Sequence, residues 1–255
     1  MHDCHAHIIG PAPHDPDWPH DTEEATLADY MAMLDANDIE KGVLVQPRAH
    51  GTDNSLILDA IRRYPDRLRG VAVVAPDMGV EGLRDLHRAG IRGVRLGGKV
   101  PVSALPAMAP DLARAGLHVQ LLMRGDDIVT HRDAIADCPV PVVIDHLAHP
   151  DPAPGTDGAP YRTLSDLLDL GHVFAKLSAI YRYSERADWS DALPLQRDLA
   201  RRHPERLVWG SDWPFLNQPA PGPTPPRLLA ALRDAVAPEA LARITETTPR
   251  VLYGF

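Results

Sequence analysis

The stretch 91–123, IRGVRLGGKVPVSALPAMAPDLARAGLHVQLLM, decides the reading of the fold. Residues 93–97, GVRLG, read as a strand. Residues 106–115 read as a helix that ends near Gly116, and 117–123 form the next strand. Two strands joined by a helix in this way are parallel neighbours with a right-handed crossover. The alternation extends in both directions. Strands are expected at 2–8, 42–47, 70–75, 93–97, 117–123, 140–146, 173–178 and 206–211. Helices are expected at 26–37, 54–64 (behind a cap at Asp53), 80–89, 106–115, 127–137, 161–170, 190–202 and 225–236. Eight strands is the number that closes a parallel barrel. An open, doubly wound sheet is the competitor, but it usually carries a Gly-rich phosphate turn after its first strand. No GxGxxG follows residues 2–8, and Gly97-Gly98 is too short to serve. The expected fold class is therefore α/β, a (β/α)8 TIM barrel. It would form a single domain over residues 1–255, close to the ~250 residues such a barrel takes.

The remaining composition narrows the function. With 44% hydrophobic and 24% charged residues the chain can fill a core, which excludes whole-chain disorder. The net charge of -9 argues against nucleic acid as a partner, because phosphate binding needs a basic surface. Apolar runs such as 42–45 and 71–76 are far short of the ~20 residues of a membrane span. Residues Met1-His2-Asp3 show neither a basic nor an apolar leader pattern, so the cytoplasm is the expected location. Cys4 and Cys138 give no disulfide framework, and Cys4 is expected to face away from the site. The expected partner is a small molecule, with a homo-oligomer possible.

Reactive groups in such a barrel sit at the C-terminal ends of the strands. Strand one offers Asp3, His5 and His7, which simple alternation places on one face. Strand six ends at His146. Strand eight ends at Gly210-Ser211-Asp212, where two small residues let the carboxylate approach the centre. Polar groups inside a barrel must be paired or functional. The three features together are far more specific than any one of them.

Asp-x-His-x-His on strand one, His146 and Gly210-Ser211-Asp212-Trp213-Pro214 resemble the amidohydrolase superfamily. Within it, the chain is similar to the metal-independent 2-pyrone-4,6-dicarboxylate lactonase group. Val45-Gln46-Pro47, Gly51-Thr52-Asp53-Asn54, Arg69-Gly70-Val71-Ala72, Gly90 to Arg95 and Val143 to His146 carry the likeness onward, and Thr248 to Phe255 resembles the closing helix. The resemblance implies an enzyme, a hydrolase that opens a small carboxylated lactone. Asp212 would be the base that activates water. His5, His7 and His146 would polarise the carbonyl, in protonated form beside an ionised Asp212. The alternatives are a zinc-dependent decarboxylase or C–C hydrolase of the same family, and a catalytically silent ligand-binding barrel.

No obligatory cofactor is expected. A single Zn2+ held by His5, His7 and Asp212 is the alternative. Strands four and five lack the lysine that bridges binuclear sites, and His118 lies too deep to be a rim ligand. For the substrate, the resemblance points to Arg95 and Arg182 as carboxylate binders. It departs from the pattern at His149 and Pro101, where arginines are expected, and at Leu122, where a tyrosine is expected. A substrate with fewer carboxylates or a larger apolar part follows. Gln46 and His50 are expected near the rim, and Tyr181 and Trp213 as pocket walls. The loop carrying His14, Trp18 and His20 is a candidate lid, and the Pro/Gly-rich segments 150–160 and 217–226 are expected on the active face.

Overall fold

Each of the eight expected runs is a strand. The computed structural model describes residues 1–11, 14–20, 22–218 and 222–255, so part of the 217–226 segment lies outside the described residues. The strands are β1 (His2–Ala6), β2 (Lys41–Val45), β3 (Leu68–Ala72), β4 (Ile91–Leu96), β5 (His118–Leu121), β6 (Val142–Ile144), β7 (Val173–Leu177) and β8 (Leu207–Trp209). They form one sheet in sequential order, with every neighbouring pair parallel. The two ends meet at the C-terminal mouth. There Asp212 N–H donates to His5 O and His7 N–H to Trp213 O, both at 2.8 Å.

The helices cover the outside: α1 (Leu27–Ala36), α2 (Ser55–Arg63), α3 (Gly79–Arg88), α4 (Leu105–Ala115), α5 (Asp127–Thr130), α6 (Arg132–Ala136), α7 (Ala159–Leu168), α8 (Leu193–Arg202), α9 (Pro225–Ala235), α10 (Pro238–Ala242) and α11 (Thr248–Tyr253). A capping box between Thr26 and Asp29 starts α1. Gly116, at a left-handed φ of 74°, ends α4. The single helix expected over 127–137 is instead two short ones that meet at His131. Next to the break, Thr130 Oγ1 donates back to Asp126 O at 3.2 Å, a bond that competes with the helical ladder. Asp53 precedes α2 but is not its cap. The cap position is Asn54, whose amide instead clasps the main chain of Val73, while Asp53 accepts from Ser55 N–H.

Two expectations for strand one are overturned together. Asp3 pairs with Gly42 and Ala6 with Leu44, so β1 advances three residues while β2 advances two. A bulge of this kind reverses the in–out alternation. Asp3 therefore points out toward α1, accepting from Tyr30 OH at 3.2 Å and from Ser211 N–H and Oγ at 2.8 and 2.7 Å. Cys4 points inward, packing with Val43, Val45, Val71, Val208 and Tyr253 as an apolar floor. His5 and His7 stand above that floor.

Gly210 permits the seam between β1 and β8. A Cβ there would lie 2.5 Å from His5 Cβ and 2.8 Å from His5 N. Gly210→Ala is expected to lower unfolding stability by roughly 1–3 kcal/mol, the usual cost of overpacking. Urea denaturation measures it, and an unchanged midpoint would show that the seam is looser than this contact requires.

Candidate active site

The mouth of the barrel carries unusual backbone. After β6, His146, Leu147, Ala148 and His149 have φ of 52°, 56°, 62° and 48°, and Asp212 has φ 60°. Left-handed conformation costs a non-glycine residue roughly 1–2 kcal/mol. Such strain persists only where the surroundings over-determine it, which is typical of functional sites. Here it turns His146, His149 and Asp212 toward one another.

Asp212 is the hub. Its Oδ1 lies 3.5 Å from His5 Nε2, 3.6 Å from His7 Nε2 and 3.8 Å from His146 Nε2. Its Oδ2 accepts from Tyr181 OH at 2.5 Å and from Arg182 Nε at 2.8 Å. Burial opposes ionisation, but the His146 ring, the Arg182 guanidinium and the hydrogen bonds prevail and hold the carboxyl well below its ordinary range. The expected protonated imidazoles are not what the site favours. Burial, reinforced by the Lys176 charge, drives His5 down to about 3, and burial holds His146 well below its ordinary value. Burial therefore disfavours the charged form of both rings, although the Asp212 carboxylate opposes it at His146.

Beneath the hub lies a buried charged network absent from the sequence reading. Lys176, on β7, donates to Gln120 Oε1 at 2.7 Å and reaches His5 Nδ1 at 3.1 Å. Asp145 Oδ2 accepts from Gln120 Nε2 at 2.9 Å and from Arg95 Nε at 3.1 Å, while its Oδ1 lies 3.3 Å from Lys176. Burial would raise the Asp145 pKa, but Lys176 and its other charged neighbours hold it well below the carboxylate range. Burial pulls the Lys176 pKa down, and Asp145 opposes that pull.

Above the hub is a cavity of about 140 Å3, lined in part by His7, His146, Asp212, Arg95, Arg182 and His149. The structure thus brings together His5, His7, His146, Asp212, Arg95, Arg182 and His149. Tyr181 serves through its hydroxyl on Asp212 rather than as an apolar wall. Trp213 stacks near Tyr30, at 5.5 Å between ring centroids, away from the cavity lining. Gln46 is placed elsewhere, since its amide is spent on Gly51 O and Asp53 O. His50 accepts from Gly10 N–H. Trp18 of the candidate lid does reach the cavity, and Arg48 lies over its ring at 5.5 Å.

Arg48 and Arg124 also line the cavity and were missed. Arg124 comes three residues after the end of β5, and that position was the available signal. Lys176 and Gln120 had a signal too: each is a long polar side chain in the middle of an otherwise apolar strand. His118 lies deep as expected, with no hydrogen-bond partner for either ring nitrogen, against Tyr253 of the floor.

Three donor atoms fit one small ion by spacing. His5 Nε2, His7 Nε2 and Asp212 Oδ1 stand 3.3 to 3.6 Å apart. Tetrahedral ligands at Zn–N ≈ 2.0–2.1 Å would be separated by about 3.4 Å.

Replacing Arg182 tests the electrostatics. Asp212 is depressed in the folded state, so the stability it contributes is present above the unfolded carboxyl pKa of about 3.9 and is lost as pH falls below it. Arg182→Met is expected to move the Asp212 titration upward, toward neutral pH. Carbon-13 NMR of the labelled carboxylate reads the shift, and an unmoved titration would mean that Arg182 does not hold the charge.

Comparison with known proteins gives a consistent picture. The family described as Amidohydrolase matches residues 2–255. A 4-sulfomuconolactone hydrolase of Rhizobium radiobacter is 33% identical over 223 aligned residues, covering 83% of this chain and 75% of that protein. A 2-pyrone-4,6-dicarboxylate hydrolase of Comamonas testosteroni is 30% identical over 234 residues, covering 84% and 77%. Among solved structures, a probable 2-pyrone-4,6-dicarboxylic acid hydrolase of Acinetobacter baumannii with bound citric acid superposes with a TM-score of 0.89 at 29% identity, covering 100% of this chain and 99% of that one.

Proposed function

The chain belongs to the amidohydrolase family, and from that premise we propose that it is a hydrolase that opens a small anionic lactone, with Asp212 as the base. One observation carries the reading. A buried, ionised carboxylate faces three imidazole Nε2 atoms at 3.5 to 3.8 Å, at the base of a cavity lined with arginines. The relatives named as hydrolases of sulfomuconolactone and pyrone dicarboxylate support a cyclic ester as the substrate class.

The chemistry follows from the geometry. Tyr181 and Arg182 occupy Asp212 Oδ2, which leaves Oδ1 to take a proton from a water in the cavity. The water oxygen bonds to the lactone carbonyl carbon. The His146 imidazole, which lines the cavity, stabilises the oxyanion that forms. Collapse of the tetrahedral intermediate breaks the ring C–O bond, and Asp212 returns its proton to the departing oxygen. A zinc ion, when bound, would be held by His5, His7 and Asp212 and would polarise the carbonyl as a Lewis acid.

Arg48, Arg95, Arg124 and Arg182 supply positive charge around the cavity of an acidic protein. Guanidinium groups suit carboxylate or sulfonate substituents on the lactone. The Acinetobacter baumannii relative was solved with citric acid, a tricarboxylic acid, bound. Leu122 adds an apolar wall, which favours a substrate less densely charged than pyrone dicarboxylate.

A panel of muconolactones, sugar lactones and pyrone carboxylates tests the substrate class. On the best substrate, Asp212→Asn is expected to lower kcat by ~10²-fold or more, the range of general acid–base catalysis. Unchanged turnover would remove Asp212 from the role of base. Arg124→Met is expected to act mainly on KM, by roughly 1.5–3 kcal/mol for a charge-assisted bond. A constant KM would remove Arg124 from the substrate contacts.

A further inference from the structure

Hydrogen-bond directions through the site can be worked out from its two ends. At the upper end, His7 Nδ1 lies 2.7 Å from Val45 O. A carbonyl only accepts, so His7 Nδ1 carries a proton, and in that tautomer Nε2 is a lone pair. At the lower end, Gln120 Nε2 donates to Asp145 Oδ2, which turns Gln120 Oε1 to Lys176 Nζ. The Lys176 amine, with the Asp145 carboxylate 3.3 Å away, is an ammonium: three donors and no acceptor.

His5 sits between these ends. Its Nδ1 lies 3.1 Å from Lys176 Nζ. Asp145 Oδ1 is 3.2 Å from the same nitrogen but is not aligned for a hydrogen bond, and that oxygen has no hydrogen-bond partner. His5 Nδ1 therefore accepts from Lys176. The neutral ring then carries its proton on Nε2, 3.3 Å from the His7 Nε2 lone pair. One directed chain results: Lys176 to His5, His5 to His7, His7 to Val45 O.

We propose that Lys176 is a positioning residue that locks His5 in the Nε2–H tautomer and so sets the site for metal-free work. A proton on His5 Nε2 removes the lone pair that an ion would need, and the same N–H covers the lone pair of His7. The spacing of His5, His7 and Asp212 suits zinc, and Lys176 opposes it. For His5 Nε2 to bind an ion, the ring proton must move to Nδ1, where it would meet the ammonium head-on. Without Lys176, Nδ1–H would turn to Asp145, giving the carboxylate-backed histidine typical of zinc sites.

The proposal deepens the lactonase reading and rests on it for the catalytic purpose of a metal-free site. Its tests use no lactone, so the two can fail separately. In metal-free wild-type protein, long-range proton–nitrogen NMR is expected to show His5 protonated at Nε2 and unprotonated at Nδ1. A proton on Nδ1 would overturn the proposal. In Lys176→Met, His5 is expected to switch to the Nδ1–H form, and zinc affinity measured by chelator competition is expected to rise at least tenfold over wild type. A lysine that served only to hold the fold would give the opposite sign, because its loss would loosen the cluster and weaken zinc binding. Equal or weaker zinc binding by a folded Lys176→Met protein overturns the proposal. Should that variant fail to fold, the wild-type spectrum decides alone.

Discussion

Two main-chain hydrogen bonds, Asp212 N–H to His5 O and His7 N–H to Trp213 O, fix where the rest of the site can stand. They join the first strand to the segment after the last one. Closing the barrel and assembling the site are therefore the same event. Gly210 allows the backbones to approach, and Asp3 reinforces the seam from outside by tying β1 to Ser211 and α1. The β1 bulge is the device that makes this possible. It lets Asp3 face outward and His5 inward within three residues, whereas a regular strand would send both to the same side.

Two opposing effects act on the buried groups, and burial does not always win. For His5 and His146 it does, because a neutral imidazole can be satisfied by single hydrogen bonds to Lys176 and Ser178. For Asp212 and Asp145 it loses. A guanidinium lies within 2.8 Å of the first, and a guanidinium and an ammonium lie against the second. Removing one partner from a buried charge leaves the other uncompensated, which costs far more than the pair contributes. The network below the mouth therefore behaves as a unit. Lys176, Asp145, Arg95 and Gln120 hold one another, and His5 takes its hydrogen-bond direction from them.

The barrel was legible because each strand is a short apolar run and each connection carries a helical pattern closed by Gly or Pro. The hub was legible as well, since histidine and aspartate at strand ends have little reason to be buried unless they are paired or in use. Failures came where a local rule was broken. Period-two alternation misplaced Asp3 and Cys4, because a bulge leaves no mark in composition. The charge state of the imidazoles was misread, because a carboxylate neighbour can be seen in the sequence and a desolvating barrel wall cannot. Lys176 was visible as a lone charge in VFAKLS. Its meaning depended on the side chains opposite, which only the closed barrel supplies.

Strain is distributed unevenly, and its distribution separates scaffold from site. Among the described residues, ten non-glycine positions have positive φ. All but Asp38 follow β6, β7 or β8, on the side of the barrel that carries the hub. At roughly 1–2 kcal/mol each, they could not all persist in a marginally stable chain unless something offset the cost. The floor supplies the offset. Cys4, Val43, Val45, Val71, Val208 and Tyr253 are buried beneath the mouth, and the larger apolar cluster surrounds the strands. The regular lower half carries the stability. The upper half uses part of it to hold His146, His149 and Asp212 in directions that a relaxed backbone would not choose.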